Sequence, residues 1–333
     1  MISTPARTDE VSCEAHLPPR VSRYADPITI GLVNNMPDAA LLTTERQFRD
    51  LLSADLEDAP IRLRLFSLPE LPRAEAAKQH ISEHYEDIRE LWTSRVDGLI
   101  VTGTEPRAKD LRHEPYWASL ARLVDWAEEN GISTVWSCLA AHAAVLHLDR
   151  IDRRSFAEKL SGVFECVRIE DHKILAGTPV RWRVPHSRFN DLPEKALVGK
   201  GYSVLSRSSD AGADIFIKQR ASLAIFLQGH PEYDPGSLLR EYRRDIGRYL
   251  AGARDSYPAM PRYYFSPEAG TALAAFRAWA ERRRCIDALS GFPMAEAEKG
   301  LVHHWRNLSV GMYTNWKSWL RETKISKAEP RKN

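Results

Sequence analysis

Three side chains in this sequence stand where their types and spacing could do nucleophilic chemistry: Cys138, His230 and Glu232. Cys138 lies between residues 132–136 and 139–148. The first is a β-branched and aromatic run that suits a buried strand; the second is Ala- and Leu-rich, without Gly or Pro, and suits a helix. A strand that turns so sharply into a helix holds the junction side chain clear of both hydrogen-bond ladders. It also aims the helix's first N–H groups, including that of Leu139, at the thiol. Such groups favour a thiolate and can cradle a developing oxyanion. The pattern is that of a nucleophile elbow carrying Cys in place of Ser. A buried structural thiol is the plainer reading of the same stretch, because free Cys is among the most buried residue types.

A thiol nucleophile needs a base, and the base needs a group to orient it. His230 follows the hydrophobic run 224–228, precedes Pro231, and has Glu232 two residues on. A carboxylate beside an imidazole fixes its tautomer and raises its basicity. His142 and His186 are rival bases. A helix carries its i+4 side chain away from the elbow, which ranks His142 below His230.

The elements that must position these groups are legible as an alternation. Strands are expected at Ile28–Val33, Ile61–Phe66, 96–101 and 132–136. Helices are expected at 41–52 (with Thr43 or Thr44 as cap), 74–91, 115–130 and 139–148. Alternating strands and helices predict an α/β protein with a parallel, doubly wound sheet, whose ligands bind at the carboxyl ends of its strands. Gly103 and Cys138 fall at two such ends. Residues 151–228 are richer in short strands and turns, 162–169 and 180–184 among them. They are followed by helices at 236–250 and 270–284 and an aromatic stretch at 303–320. The expected division is a loose arm at 1–26, a catalytic domain at 27–255 and a helical, aromatic extension at 256–333 packing on it.

Composition bounds the function. At 43% hydrophobic and 28% charged residues, the chain reads as an ordinary soluble globular protein. A net charge of +2 over 333 residues gives no electrostatic ground for a nucleic-acid partner. The four cysteines are far apart and form no CxxC pair, which argues against zinc and a disulfide framework and for a reducing compartment. With no secretory pattern and no apolar run of about 18 residues, a cytoplasmic protein without membrane contact is expected.

The order of these motifs resembles class I glutamine amidotransferase-like domains, in which Cys, His and Glu form a triad. The resemblance sharpens to one branch, the homoserine O-acyltransferases (succinyl- and acetyltransferases) of methionine biosynthesis. It is carried by Asn35-Met36-Pro37, DGLIVTG at 97–103, Tyr116-Trp117, VWSCLAAHAA at 135–144, EKLSGV at 158–163, PHSR at 185–188, GHPEYD at 229–234 and YTNW at 313–316. These run in the family's order over residues 28–320. The resemblance implies a flavodoxin-like α/β fold, with Cys138 as acyl-thioester nucleophile, His230 as general base and Glu232 as its orienting partner. It places Lys159, Ser187 and Arg244 at acceptor-binding positions. An amino-acid acceptor presents a carboxylate that Arg244 can hold bidentately, and polar groups that Lys159 and Ser187 can fix.

The reaction implied by the resemblance is ping-pong O-acylation of homoserine, with acyl-CoA (succinyl- or acetyl-CoA) as co-substrate, no bound cofactor, no metal, and a homodimer. Succinyl is the acyl group favoured. The alternatives are acetyl-CoA or another hydroxy amino acid such as serine in the same chemistry, and a glutamine amidotransferase-like hydrolase. The chain departs from the family at two places. Asp38 and Ala39 follow Pro37 where the family carries lysines, and Arg107 occupies the loop position that in the family tracks acyl preference. An Arg there could pair with the free carboxylate of a succinyl donor. Residues 270–300 look inserted relative to the family.

Overall fold

The first half of the chain builds most of one sheet. Strands β1 (Ile28–Val33), β2 (Ile61–Phe66), β3 (Gly98–Val101) and β4 (Ser133–Ser137) alternate with helices α1 (Asp38–Ser53), α2 (Glu75–His84), α3 (Ile88–Leu91), α4 (Trp117–Glu129) and α5 (Leu139–Asp149). The computed structural model describes residues 27–54 and 60–328, so the arm expected at 1–26 lies outside the described residues. The chain then forms β5 (Arg154–Arg168), β6 (Arg181–Asp191), α6 (Glu194–Gly199), β7 (Ser203–Val204), β8 (Ser206–Ser208), β9 (Gly212–Ala213), β10 (Ile215–Gln219) and β11 (Leu223–Leu227). Helices α7 (Ser237–Leu250), α8 (Pro267–Arg283), α9 (Met294–Glu298) and α10 (Arg306–Ala328) complete it.

The large sheet runs β2-β1-β3-β4-β11-β10-β7. Its first five strands are parallel, and β10 pairs antiparallel with both neighbours. In order of appearance along the chain, the parallel part reads 2-1-3-4-5, the flavodoxin-like doubly wound order. Parallel strands need both faces covered, and β3, β4 and β11 are buried along their whole lengths. Alternate residues feed two cores. Leu99, Val101 and Trp136 point to the side of α4 and α5. Ile30, Ile100 and Val135 point to the side of α1 and α10. On α10, Leu308, Met312, Trp316 and Leu320 recur every four residues and are all buried, giving the helix one apolar stripe to lay on the sheet. The Trp316 indole also donates to Ser133 Oγ at 3.0 Å.

Beside this layer lies a smaller sheet, β6-β5-β8-β9. Its long β5–β6 ladder extends well beyond the two short strands expected at 162–169 and 180–184, and a register shift lies between Ser155 and Leu160. Residues 267–298 pack on the outer side of α7, where Leu273, Phe276 and Phe292 share a core with Tyr242 and Ile246.

Two local expectations are corrected. The helix expected over 74–91 is two, because the Glu86 N–H is taken by the Leu65 carbonyl at 2.8 Å and Asp87 caps the second through the Arg89 N–H. Helix α1 begins at Asp38, directly after Pro37, so Thr44 is a buried helix residue and caps nothing.

Candidate active site

Segments following four neighbouring parallel strands meet at one edge of the sheet: Met36-Pro37 after β1, Gly103 after β3, Cys138 after β4 and His230 after β11. All line one cavity, together with Lys159 and Ser187 from the small sheet and Glu241 and Arg244 from α7.

Cys138 has φ 50° and ψ −111°, a left-handed conformation for a residue with a side chain, and stands between the last residue of β4 and the first of α5. Its own N–H is tied to the Leu227 carbonyl of the neighbouring strand at 2.7 Å. The elbow is thus held by the sheet on one side and by the helix on the other. Leu139 is the first helical residue, so its N–H has no carbonyl four residues back within the helix. Gly103 lies directly over it. A Cβ added there would sit 2.9 Å from the Leu139 nitrogen.

The His230 ring is buried and stacks on Tyr233, with ring centres 4.2 Å apart and planes at 20°. Its Nδ1 meets Glu232 Oε1 at 2.9 Å, which leaves Nε2 for the sulfur, and Cys138 lines the same cavity, its sulfur favouring the charged ring. Ser137 Oγ donates to the same Glu232 oxygen at 3.2 Å, so the strand that carries the nucleophile also holds the carboxylate. Burial alone would pull the imidazole pKa down. The Glu232 carboxylate and the Cys138 sulfur outweigh it and hold His230 well above its ordinary value. His142 lines the cavity too, but it is bonded to Gln228 Oε1 at 3.0 Å, and burial drives its pKa down to about 3. It is neutral and engaged elsewhere.

Across the cavity, α7 sets acidic and basic groups on one face. Glu241 and Asp245 are four residues apart, and Lys159 Nζ reaches both, at 3.1 and 2.9 Å. Glu241 also accepts from the hydroxyls of Tyr233 (2.6 Å) and Ser187. Burial would raise the Glu241 pKa, but Lys159 and Arg244 hold it down at about 2. Arg244 donates through Nε and Nη2 to Asp245 Oδ1 at 3.1 and 3.0 Å. Lys159, Ser187 and Arg244 are therefore brought together, whereas Arg107 is not. Its side chain is exposed on an adjoining groove shared with Arg73 and Arg248, while its backbone N–H is held by Glu114.

Glu241 and Tyr233, which line the cavity, and Asp245, which holds Lys159 and Arg244, were not singled out in the sequence. Tyr233 lies inside the GHPEYD motif. The two carboxylates are legible as a helix face at i and i+4 that also carries Arg244, although nothing local marks that face as turned to the site. Gly103 falls at a strand end in the sequence, but its contact with the elbow does not show there. Among the described residues, one group of metal-capable side chains also converges: Cys166, His186 and Asp214, buried outside the cavity. It packs under Gly229, where a Cβ would meet Asp214 Oδ1 at 2.7 Å and the His186 ring at 3.1 Å, which is why the turn before His230 needs glycine.

Fold and site together define a doubly wound α/β protein that sets a cysteine at a strand–helix junction against a carboxylate-backed histidine. More particularly, the chain belongs to the homoserine O-succinyltransferase family, a family of transferases whose profile matches residues 20–326. It is 48% identical over 298 residues to the homoserine O-succinyltransferase of Rhodopseudomonas palustris, covering 90% of each chain. Identity to that of Methylorubrum extorquens (strain DSM 6343 / CIP 106787 / DM4) is 47% over 289 residues, covering 87% of this chain and 86% of the relative. To that of Bradyrhizobium japonicum it is 52% over 268 residues, covering 79% and 82%. Among solved structures, a glutamine amidotransferase from Thermotoga maritima superposes with a TM-score of 0.48 and 14% identity, over 89% of this chain and 99% of its own. One from Methylobacillus Flagellatus gives 0.49 and 14%, over 88% and 94%. No helix among the described residues is long and apolar enough to cross a membrane.

Proposed function

We propose that this protein transfers the succinyl group of succinyl-CoA to the side-chain hydroxyl of homoserine through an acyl-Cys138 thioester. The observation that carries the reading is the single cavity in which the elbow cysteine, the Glu232-backed His230 and the Lys159–Glu241–Arg244 wall all take part. Family membership supports the acceptor and the acyl group.

In the first half-reaction His230 Nε2 takes the thiol proton and the sulfur attacks the thioester carbonyl carbon. The Leu139 N–H receives the developing oxyanion. The carbon–sulfur bond to CoA breaks, and CoA leaves with the proton returned by the imidazolium. In the second, His230 takes the proton of the homoserine hydroxyl, whose oxygen attacks the acyl carbon. The Cys138–acyl bond breaks, the sulfur regains a proton, and the ester departs into sulfur amino-acid synthesis. The acceptor's ammonium would pair with Glu241 and its carboxylate with Arg244, with Lys159 and Ser187 holding these partners in place. Arg107 would meet the donor in the adjoining groove, outside the cavity.

The test is intact-protein mass after mixing with succinyl-CoA or acetyl-CoA, without acceptor, on the parent and Cys138→Ala. A gain of one succinyl group in the parent alone, discharged by homoserine, is expected. A folded parent that gains no mass with either donor would overturn the thioester mechanism.

A further inference from the structure

We propose that Arg153 forms a carboxylate-binding subsite in the cavity wall, which holds the free carboxylate of a dicarboxylic acyl donor while its thioester end reacts at Cys138. The proposal rests on the acyl-transfer reading above and names the residue that selects the acyl group.

Arg153 lines the same cavity as Cys138. Its Nη2 donates to the backbone carbonyls of Ala108 and Lys109, at 3.2 and 2.8 Å, which clamps the guanidinium to the loop after β3. Its Nη1 is buried and has no hydrogen-bond partner, as has the Tyr116 hydroxyl, which feels its charge. The acids whose charge reaches Arg153, Glu114 and Asp110, make no hydrogen bond to it. Glu114 Oε1 accepts the N–H groups of Arg107 and Ala108, both at 2.5 Å, and Asp110 pairs with Arg112 at 2.9 Å.

The other cations lining the cavity differ. Lys159 is paired with Glu241 and Asp245, Arg244 with Asp245, and Arg188 with Asp191 at 3.1 Å. Among the described residues no carboxylate pairs with Arg153. A partly buried guanidinium with a spare Nη1 donor and no carboxylate bonded to it has a desolvated group that a ligand anion would satisfy. The acceptor's carboxylate has Arg244 on the opposite wall. The remaining anion is one carried by the acyl group itself, and Arg153 lines the same cavity as Cys138, whose charge it feels. An acetyl group brings no such charge and would leave Arg153 unpaired. A planar fork on two fixed carbonyls also favours one carboxylate position, which suits selection by chain length.

The experiment is steady-state kinetics of the full chain, its Arg153→Met variant and its Arg153→Lys variant, with succinyl-CoA and acetyl-CoA each varied against homoserine. Arg153→Met should lose about 10- to 100-fold in kcat/KM for succinyl-CoA. It should leave the acetyl-CoA value and the homoserine KM unchanged, and Arg153→Lys should recover part of the loss. Equal losses with both donors, or a loss carried by the homoserine KM, would overturn the proposal. So would a selectivity that moves with Arg107→Gly and not with Arg153→Met. If the parent takes no acyl group onto Cys138 from either donor, the reading beneath the subsite fails, and the subsite with it. Acyl loading of the parent with selectivity indifferent to Arg153 sinks the subsite alone.

Discussion

Replacing Gly103 by Ala tests whether the Leu139 N–H is the oxyanion donor. The added Cβ would lie 2.9 Å from the Leu139 nitrogen, 2.9 Å from Leu139 Cβ and 3.3 Å from the Ser137 carbonyl oxygen. Ordinary carbon contacts begin near 3.5 Å, so the methyl intrudes by about half an ångström on atoms that cannot rotate away. An oxyanion must sit about 2.7–3.1 Å from the same nitrogen. The methyl therefore crowds the nitrogen whose N–H the oxyanion must reach. Loss of one such donor costs about 100- to 1000-fold in rate, and overpacking costs about 1–3 kcal/mol of stability. The two effects separate experimentally. Acylation is followed by quenching single-turnover mixtures with succinyl-CoA and weighing the intact protein, and stability by urea unfolding. The expected result is acylation slowed by at least about 100-fold in a variant that is still folded. A folded Gly103→Ala protein acylated within about threefold of the parent rate would refute the assignment of the oxyanion position to Leu139.

Glu232→Gln should shift the His230 titration to lower pH, because the strongest of the groups that raise it is removed. Ring-proton NMR and the pH dependence of acylation would both show it, and an unmoved titration would count against the pairing. The same raised pKa means that protonated His230 stabilises the fold fully below about pH 6.5 and progressively less as pH rises through its elevated value. Comparing parent and variant unfolding across that range checks the sign. Glu241→Gln should raise the homoserine KM and cost about 3 kcal/mol at neutral pH, since Lys159 and Arg244 lose a buried counter-charge. Glu241 titrates at about 2, below its ordinary range, so its contribution is present above about pH 4.3 and is lost as pH falls toward 2. The urea midpoints of parent and variant should converge with acidification, and a constant gap would refute the charge argument.

The part of this protein that the sequence determined by itself is the part governed by local chemistry. The apolar runs of β1, β3 and β11 and the helices between strands follow from side-chain periodicity, which acts over a few residues. The GHPE turn and the strand–Cys–helix junction are contiguous, so His230, Glu232 and the junction thiol could be read as motifs, and the family resemblance rests on them. Extent and company were decided only in three dimensions. The break between α2 and α3 is made by the Leu65 carbonyl of another element, and the length of β5 by its ladder with β6. Cys138 and His230 meet because β4 and β11 pair in parallel and end together, although the residues are far apart in the chain. The acidic partners Glu241 and Asp245 became visible once α7 turned one face toward Lys159 on another sheet. Arg153 stands apart from Lys159 and Arg244 only by what surrounds it. A charge is written in the sequence, but whether a counter-charge reaches it depends on burial and on distances that the folded chain alone sets.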